Sequence, residues 1–109
     1  MSVFSLDAYV ADTLMPDLVG HDRAPSAFLV YLYLWRQTAG GARSSGLQSL
    51  RTVAEGTGLS KRAVQLAVTI LEKRRLVRVH RSSATAAPEY ETLRPWTQVS
   101  GTPLTAADR

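Results

Sequence analysis

The stretch Leu50–Leu76, LRTVAEGTGLSKRAVQLAVTILEKRRL, decides the fold. Ala54, Gly58, Ser60, Val64 and Ala67 stand in it at a spacing with a mechanical reason. Two helices that cross steeply through a tight turn need a small residue at their closest approach, a reversal point and a cap on the second helix. Ala54 is the small residue. Gly58 makes the reversal, because glycine takes positive φ without steric penalty. Ser60 offers its hydroxyl as the N-cap. The spacing predicts one helix over Ser49–Thr57, with Leu50, Val53 and Ala54 inward. It predicts a second over Lys61–Arg74, with an apolar stripe of Val64, Ala67, Val68 and Leu71 and with Ala63 and Ile70 beside it. Lys61, Arg62, Gln65, Leu66 and Thr69 are left on the outer side of the second helix, toward its N-terminus.

Working outward, Leu76–Arg81 alternates in the manner of a strand, with Val77 and Val79 on one side and Arg78 and His80 on the other. Ser82–Pro88 is a loop of small residues. Glu89–Leu93 alternates again, and Tyr90 pairs with the valine face across a hairpin. Pro95–Trp96 closes the ordered part, and Thr97–Arg109 reads as a polar tail. Toward the N-terminus, Gly46–Gln48 is a very short strand and Arg43–Ser45 a loop. Pro25 opens a helix that runs to about Thr38, before a break at Gly40–Gly41. Its Phe28–Trp35 run also suits a strand, but ~14 residues between Pro and Gly-Gly is a helical length. A helix apolar all round must be covered on more than one side, here by the N-terminal helix or a second subunit. That N-terminal helix runs from Ser5 to about Met15, with Leu6, Tyr9, Val10 and Leu14 on one stripe, until Pro16 ends or kinks it. Asp17–Ala24 is then a connection turning at Gly20. The fold class is mainly α with a small β-hairpin: a three-helix core, a wing and an extra N-terminal helix. Residues 1–24 form a possible dimerisation arm, 25–96 the domain proper and 97–109 the tail.

The 109 residues suffice for one domain. No cysteine is present, which excludes a disulfide framework, a thiolate metal site and a cysteine nucleophile. The formal charge of +4 is unevenly placed. Residues 1–42 carry a net −2, residues 43–81 a net +7 and residues 82–109 a net −1. Lysine and arginine concentrated in this way neutralise phosphates and release condensed counterions, the main source of affinity for DNA. The N-terminus has no basic, then apolar, leader pattern, and the longest apolar run, Ala27–Trp35, is far short of the roughly 20 residues a bilayer needs. The expectation is a cytoplasmic, nucleoid-associated protein.

The segment SLRTVAEGTGLSKRAVQLAVTILEKRRLVRVHR, with YETLRPW behind it, resembles the winged helix-turn-helix domain of bacterial transcriptional regulators such as the GntR and MarR groups, and that of plasmid replication initiators. The resemblance covers about residues 25–96. It implies sequence-specific binding of double-stranded DNA, with residues 60–75 in the major groove and the wing, 77–93, on the backbone or a minor groove. Lys61, Arg62, Gln65 and Thr69 then reach base edges and nearby phosphates, with Arg62 the guanine reader and Gln65 a partner for adenine. Ser60 and Arg51 contact phosphate. Arg78, His80 and Arg81 set the wing against the duplex, and Arg43 is a weaker candidate. Two positions depart from the family pattern. Leu66 stands where a basic residue is common, and it suits a thymine methyl or another protein surface. Arg75 stands where the turn into the wing usually has glycine, and it takes that turn at some strain.

Other chemistry is thinly represented. His21 and His80 lie in different elements, without further ligands at metal spacing. Asp7, Asp12, Asp17 and Asp22 recur every five residues, a period that holds no face of an α-helix, so they read as solvated. Phe28, Tyr31, Leu32 and Trp35 read as core, and Trp96 as packed under the wing or a neighbouring helix. Lys73, Arg74 and Arg75 suit the dipole of a helix C-terminus. No Ser/His/Asp set, phosphate loop or carboxylate pair stands out, so the expectation is not an enzyme and no cofactor. A homodimer is expected, joined through the N-terminal helix and the outer side of Ala27–Trp35. The competing expectation is a winged-helix adaptor that binds protein and not DNA.

Overall fold

The computed structural model describes residues 3–38 and 44–97. The chain passes through two abutting π-type helical stretches, Val10–Leu14 and Pro16–His21, then helix α1 (Pro25–Gln37), strand β1 (Ser44–Leu47) and helix α2 (Leu50–Thr57). Helix α3 (Lys61–Lys73), strand β2 (Val77–His80) and strand β3 (Glu89–Thr92) follow. The molecule is mainly helical with a small antiparallel sheet in the order β1-β3-β2.

Helix α1 is the central element. Ala27, Phe28, Val30, Tyr31, Leu34 and Trp35 are all buried. The aromatic stripe of Phe28, Tyr31 and Trp35 is therefore core, and Leu32 packs partly buried against it. Helix α3 and the sheet cover one side of α1. The N-terminal stretches cover the other and bury Val10, Leu14 and Leu18. Of the two ways to cover α1, the protein uses its own chain. Two buried hydroxyls complete this layer: Thr38 Oγ1 donates to the Trp35 carbonyl (2.9 Å) and lies 3.0 Å from Thr92 Oγ1.

The N-terminal segment departs from the sequence expectation. Helical turns begin at residue 8 and continue through Pro16 to His21, so the chain does not stop at Pro16, and of the connection expected over Asp17–Ala24 only residues 22–24 are non-helical. The turns are wide. The amide of Met15 bonds to the carbonyl of Val10, and that of Asp22 to Asp17 (2.9 Å), each five residues back. In an α-helix the proline ring collides with the carbonyl four residues back. A ladder that bonds five back avoids that conflict and lets Leu18 reach the core. The reversal falls not at Gly20 but at Arg23, whose φ is +53°.

The segment is sewn to the far end of the chain. The ring of Trp96 stacks on Tyr9 at 4.6 Å and lies parallel to Trp35 at 6.4 Å. Asp7 Oδ2 accepts from Trp96 Nε1 (2.9 Å) and from Arg94 Nε (2.8 Å). Trp35 Nε1 donates to the Ser5 carbonyl (2.8 Å). Asp7 is thus a structural acceptor and not a solvated charge.

The helix pair and the hairpin follow their sequence signals closely. Ser49 Oγ accepts from the Thr52 amide (3.0 Å), and Ser60 Oγ from the Ala63 amide (3.1 Å), so each serine caps its helix. Gly58 ends α2 with φ +80° and donates its amide to the Ala54 carbonyl (2.9 Å). Val64, Ala67 and Leu71 face the core, and Val53 and Ala54 meet them from α2. At the far end of α3, Arg75 takes φ +57°. Its amide donates to Glu72 (3.0 Å), and that of Leu76 donates to Leu71 (2.9 Å). This is a Schellman ending with arginine in the glycine position, and the buried pair Leu71–Leu76 supplies its apolar contact. In the hairpin Val79 pairs with Tyr90 and Arg78 with Glu91. Strand β1 joins β3 through Ser44–Glu91 and Leu47–Glu89, with an irregularity between the two pairs.

Candidate nucleic-acid interface

The outer side of α3 is built by elimination. Its apolar stripe is spent on α1 and α2, so the remaining positions face water. Lys61, Arg62, Gln65, Leu66 and Thr69 are all exposed, as is Ser60 before them. No ion-pair partner holds Lys61 or Arg62 among the described residues. The Ser60 hydroxyl accepts the helix cap, which leaves its own hydrogen available to a phosphate oxygen. Thr69 Oγ1 donates to the Gln65 carbonyl (3.0 Å), so its hydroxyl hydrogen is committed to the helix backbone.

The candidates fall into three places. Arg51 and Lys61 flank a shallow recess at the α2–α3 turn, together with Glu55, Gly58 and Leu59. Gln65, Thr69 and Arg81 line a second, larger groove between α3 and the loop of the hairpin. Ser49, Leu50, Val68, Glu72, Tyr90 and residues 84–88 complete that groove. Arg78 and His80 stand on the outer face of the sheet. Both meet Glu91 Oε1 at 3.2 Å. Arg43 lies outside the described residues, as do the Gly40–Gly41 break and nearly all of the polar tail.

Two of the candidate cations are already engaged. Arg51 Nε bonds to Glu55 Oε2 (3.0 Å) one turn along α2, with the two side chains 75% and 67% exposed. A pair so open to water contributes about 0.3–0.5 kcal/mol, so a phosphate can displace Glu55 with little loss. Arg78 shares Glu91 with His80 in the same exposed manner. Lys61, Arg62 and Arg81 carry no such partner among the described residues.

Arg74, expected as ordinary end-of-helix charge, turns inward. Its guanidinium bonds to Asp17, and through Nη1 to Asp22 Oδ2 (2.7 Å), which pins the N-terminal segment to the end of α3. The hydrogen bond from His21 and the charge of Arg74 hold the Asp22 carboxyl below the ordinary carboxylate range, against the effect of burial. Asp17 raises Arg74 further above its already high value, again against burial. Asp17, His21 and Asp22 also bring three possible metal-ligand atoms within 4.8 Å of one another. Arg74 occupies both carboxylates, so this cluster is balanced by a cation from the chain itself.

Sequence reasoning missed Ser49 and Glu72 as groove residues, because the hairpin loop's path over α3 is a tertiary fact. It also missed Gly56, where a β-carbon would overlap the Tyr33 ring; that ring's hydroxyl donates to Gln48 Oε1 (3.0 Å). No helix among the described residues is long and apolar enough to cross a membrane. No protein-family model, curated protein or solved structure matches the chain.

Proposed function

We propose that this protein is a winged helix-turn-helix domain that binds double-stranded DNA sequence-specifically, in the manner of a bacterial transcriptional regulator. The observation that carries the proposal is the capped, exposed N-terminal half of α3, where Lys61 and Arg62 stand free of described partners beside Gln65. Arg81 faces the same helix across the groove. The order of elements and the β1-β3-β2 sheet support the same reading. Arg62 has the fork that matches guanine O6 and N7, and Gln65 the amide that matches adenine. Ser60, Arg51 and Arg81 then hold phosphates on either side. No chemistry on the DNA is invoked, and the domain acts without a cofactor in the nucleoid of the cytoplasm.

The working unit is a homodimer. Met15, Val19 and Leu29 are 42%, 39% and 43% exposed on the N-terminal stretches and α1, the two elements expected to form its surface. Two-fold symmetry then calls for two half-sites one helical turn, or a multiple, apart.

Leu66, 52% exposed on the same side of α3, favours a second reading: a winged-helix adaptor whose partner is a protein. Selection of bound duplexes from a random pool, followed by charge reversal at Lys61 and Arg62, separates the two. The DNA reading predicts recovery of a preferred sequence and loss of binding by Lys61→Glu/Arg62→Glu. Failure to enrich any duplex refutes it in favour of the adaptor.

A further inference from the structure

Leu66 is the one large apolar side chain that α3 leaves more than half in water, at 52% exposure. Beside it on the helix surface lie Arg62 and Ala63 before it and Thr69 and Ile70 after it, of which Arg62 and Thr69 are exposed. Thr69 is the informative one. With Oγ1 bonded back to the Gln65 carbonyl at 3.0 Å, the group this exposed residue offers outward is its γ-methyl. The outer side of α3 therefore carries a short apolar stripe, Leu66 and the Thr69 methyl, between the cation of Arg62 and the amide of Gln65. Cationic and amide surroundings suit a polyanion with polar base edges better than an apolar protein surface. The major groove of DNA presents a single apolar feature among its base edges, the C5-methyl of thymine.

We propose that Leu66 and the Thr69 γ-methyl together form a reading site for thymine methyl groups, so that the preferred duplex carries thymine beneath the middle of α3. The proposal rests on the DNA-binding reading above and adds the base that Leu66 and Thr69 select. Residues three apart rise about 4.5 Å along a helix, against about 3.4 Å for a base step, so the two apolar groups serve neighbouring base pairs. Where Thr69 was expected to donate to a base edge or phosphate, its committed hydroxyl turns it into an apolar contact instead.

The test exploits uracil, which differs from thymine in lacking only that methyl. The best duplex selected by the full chain is remade with deoxyuridine at each thymine in turn. Burial of one methyl predicts a three- to fivefold weaker binding at one or two positions per half-site. Leu66→Ala, at an exposed helical position where alanine is well tolerated, should bind the thymine and uracil forms equally at its position. Thr69→Ser keeps the back-bonded hydroxyl and removes only the methyl, and should abolish the difference at the neighbouring position. A duplex bound tightly, yet indifferent to uracil at every thymine, overturns this inference and leaves the DNA reading standing. A chain that binds no duplex overturns both.

Discussion

Arg75 shows how much a single backbone angle governs here. At φ +57° it ends α3 in the conformation that side chains avoid at a cost of about 1–2 kcal/mol. Arg75→Gly is therefore expected to raise stability by up to about 1 kcal/mol in urea denaturation; the unfolded glycine's extra freedom offsets the remainder. That position was legible in the sequence, because the turn after such a helix usually has glycine. Arg74, next to it, was not. Its partners lie 52 and 57 residues away, and Asp17 and Asp22 reach it together only because a π-type turn brings residues five apart onto one face. Judged by an α-helical period, the same aspartates looked scattered. Arg74→Met, which keeps the aliphatic stem, should cost roughly 1–2 kcal/mol, since the pair is about one-third exposed and partly screened. The acid side of the stability curve carries a second consequence. The folded Asp22 carboxyl titrates below its ordinary value of 3.8, so its stabilising contribution is complete above that pH and is lost as the pH falls through the folded value. Asp22→Asn should lower stability at neutral pH and flatten its decline below about pH 4. An unchanged acid profile would mean that Asp22 carries no such linkage.

At the scale of elements, the two central helices announce themselves and the first segment does not. Gly58 and Ser60 fix where α2 ends and α3 begins through short-range chemistry, and the structure places both where the sequence does; Ser49, read as the first helical residue, is instead the cap of α2. Ser60→Ala should cost about 1 kcal/mol by loss of the bond to the Ala63 amide. Pro16 and Gly20 point away from helix locally, yet both sit within helical turns, because burying Val10, Leu14 and Leu18 on α1 outweighs their local preferences. Gly20 has no positive φ, and a β-carbon there would meet nothing within 4 Å. Gly20→Ala is therefore expected to stabilise the fold by about 0.5–1 kcal/mol, and a destabilised variant would contradict the helical assignment of this stretch.

For the whole molecule, the sequence charge map needs correction by pairing. The block 43–81 carries a net +7, but Arg74 is spent on the N-terminal segment, while Arg51 and Arg78 hold exposed glutamates. Five described cations of the block remain outside any ion pair: Lys61 and Arg62 at the start of α3, Arg81 across its groove, and Lys73 and Arg75 at its far end. The face was therefore readable from composition, while its division into free and committed cations was not. The most direct test of this account is the salt dependence of duplex binding by the full chain and by Lys61→Ala/Arg62→Ala. Affinity should fall steeply and linearly on logarithmic axes, and the slope should shrink by about one for each phosphate contact the double variant removes. Binding that ignores salt, or a slope identical in both proteins, would contradict the claim that this end of α3 meets the phosphate backbone.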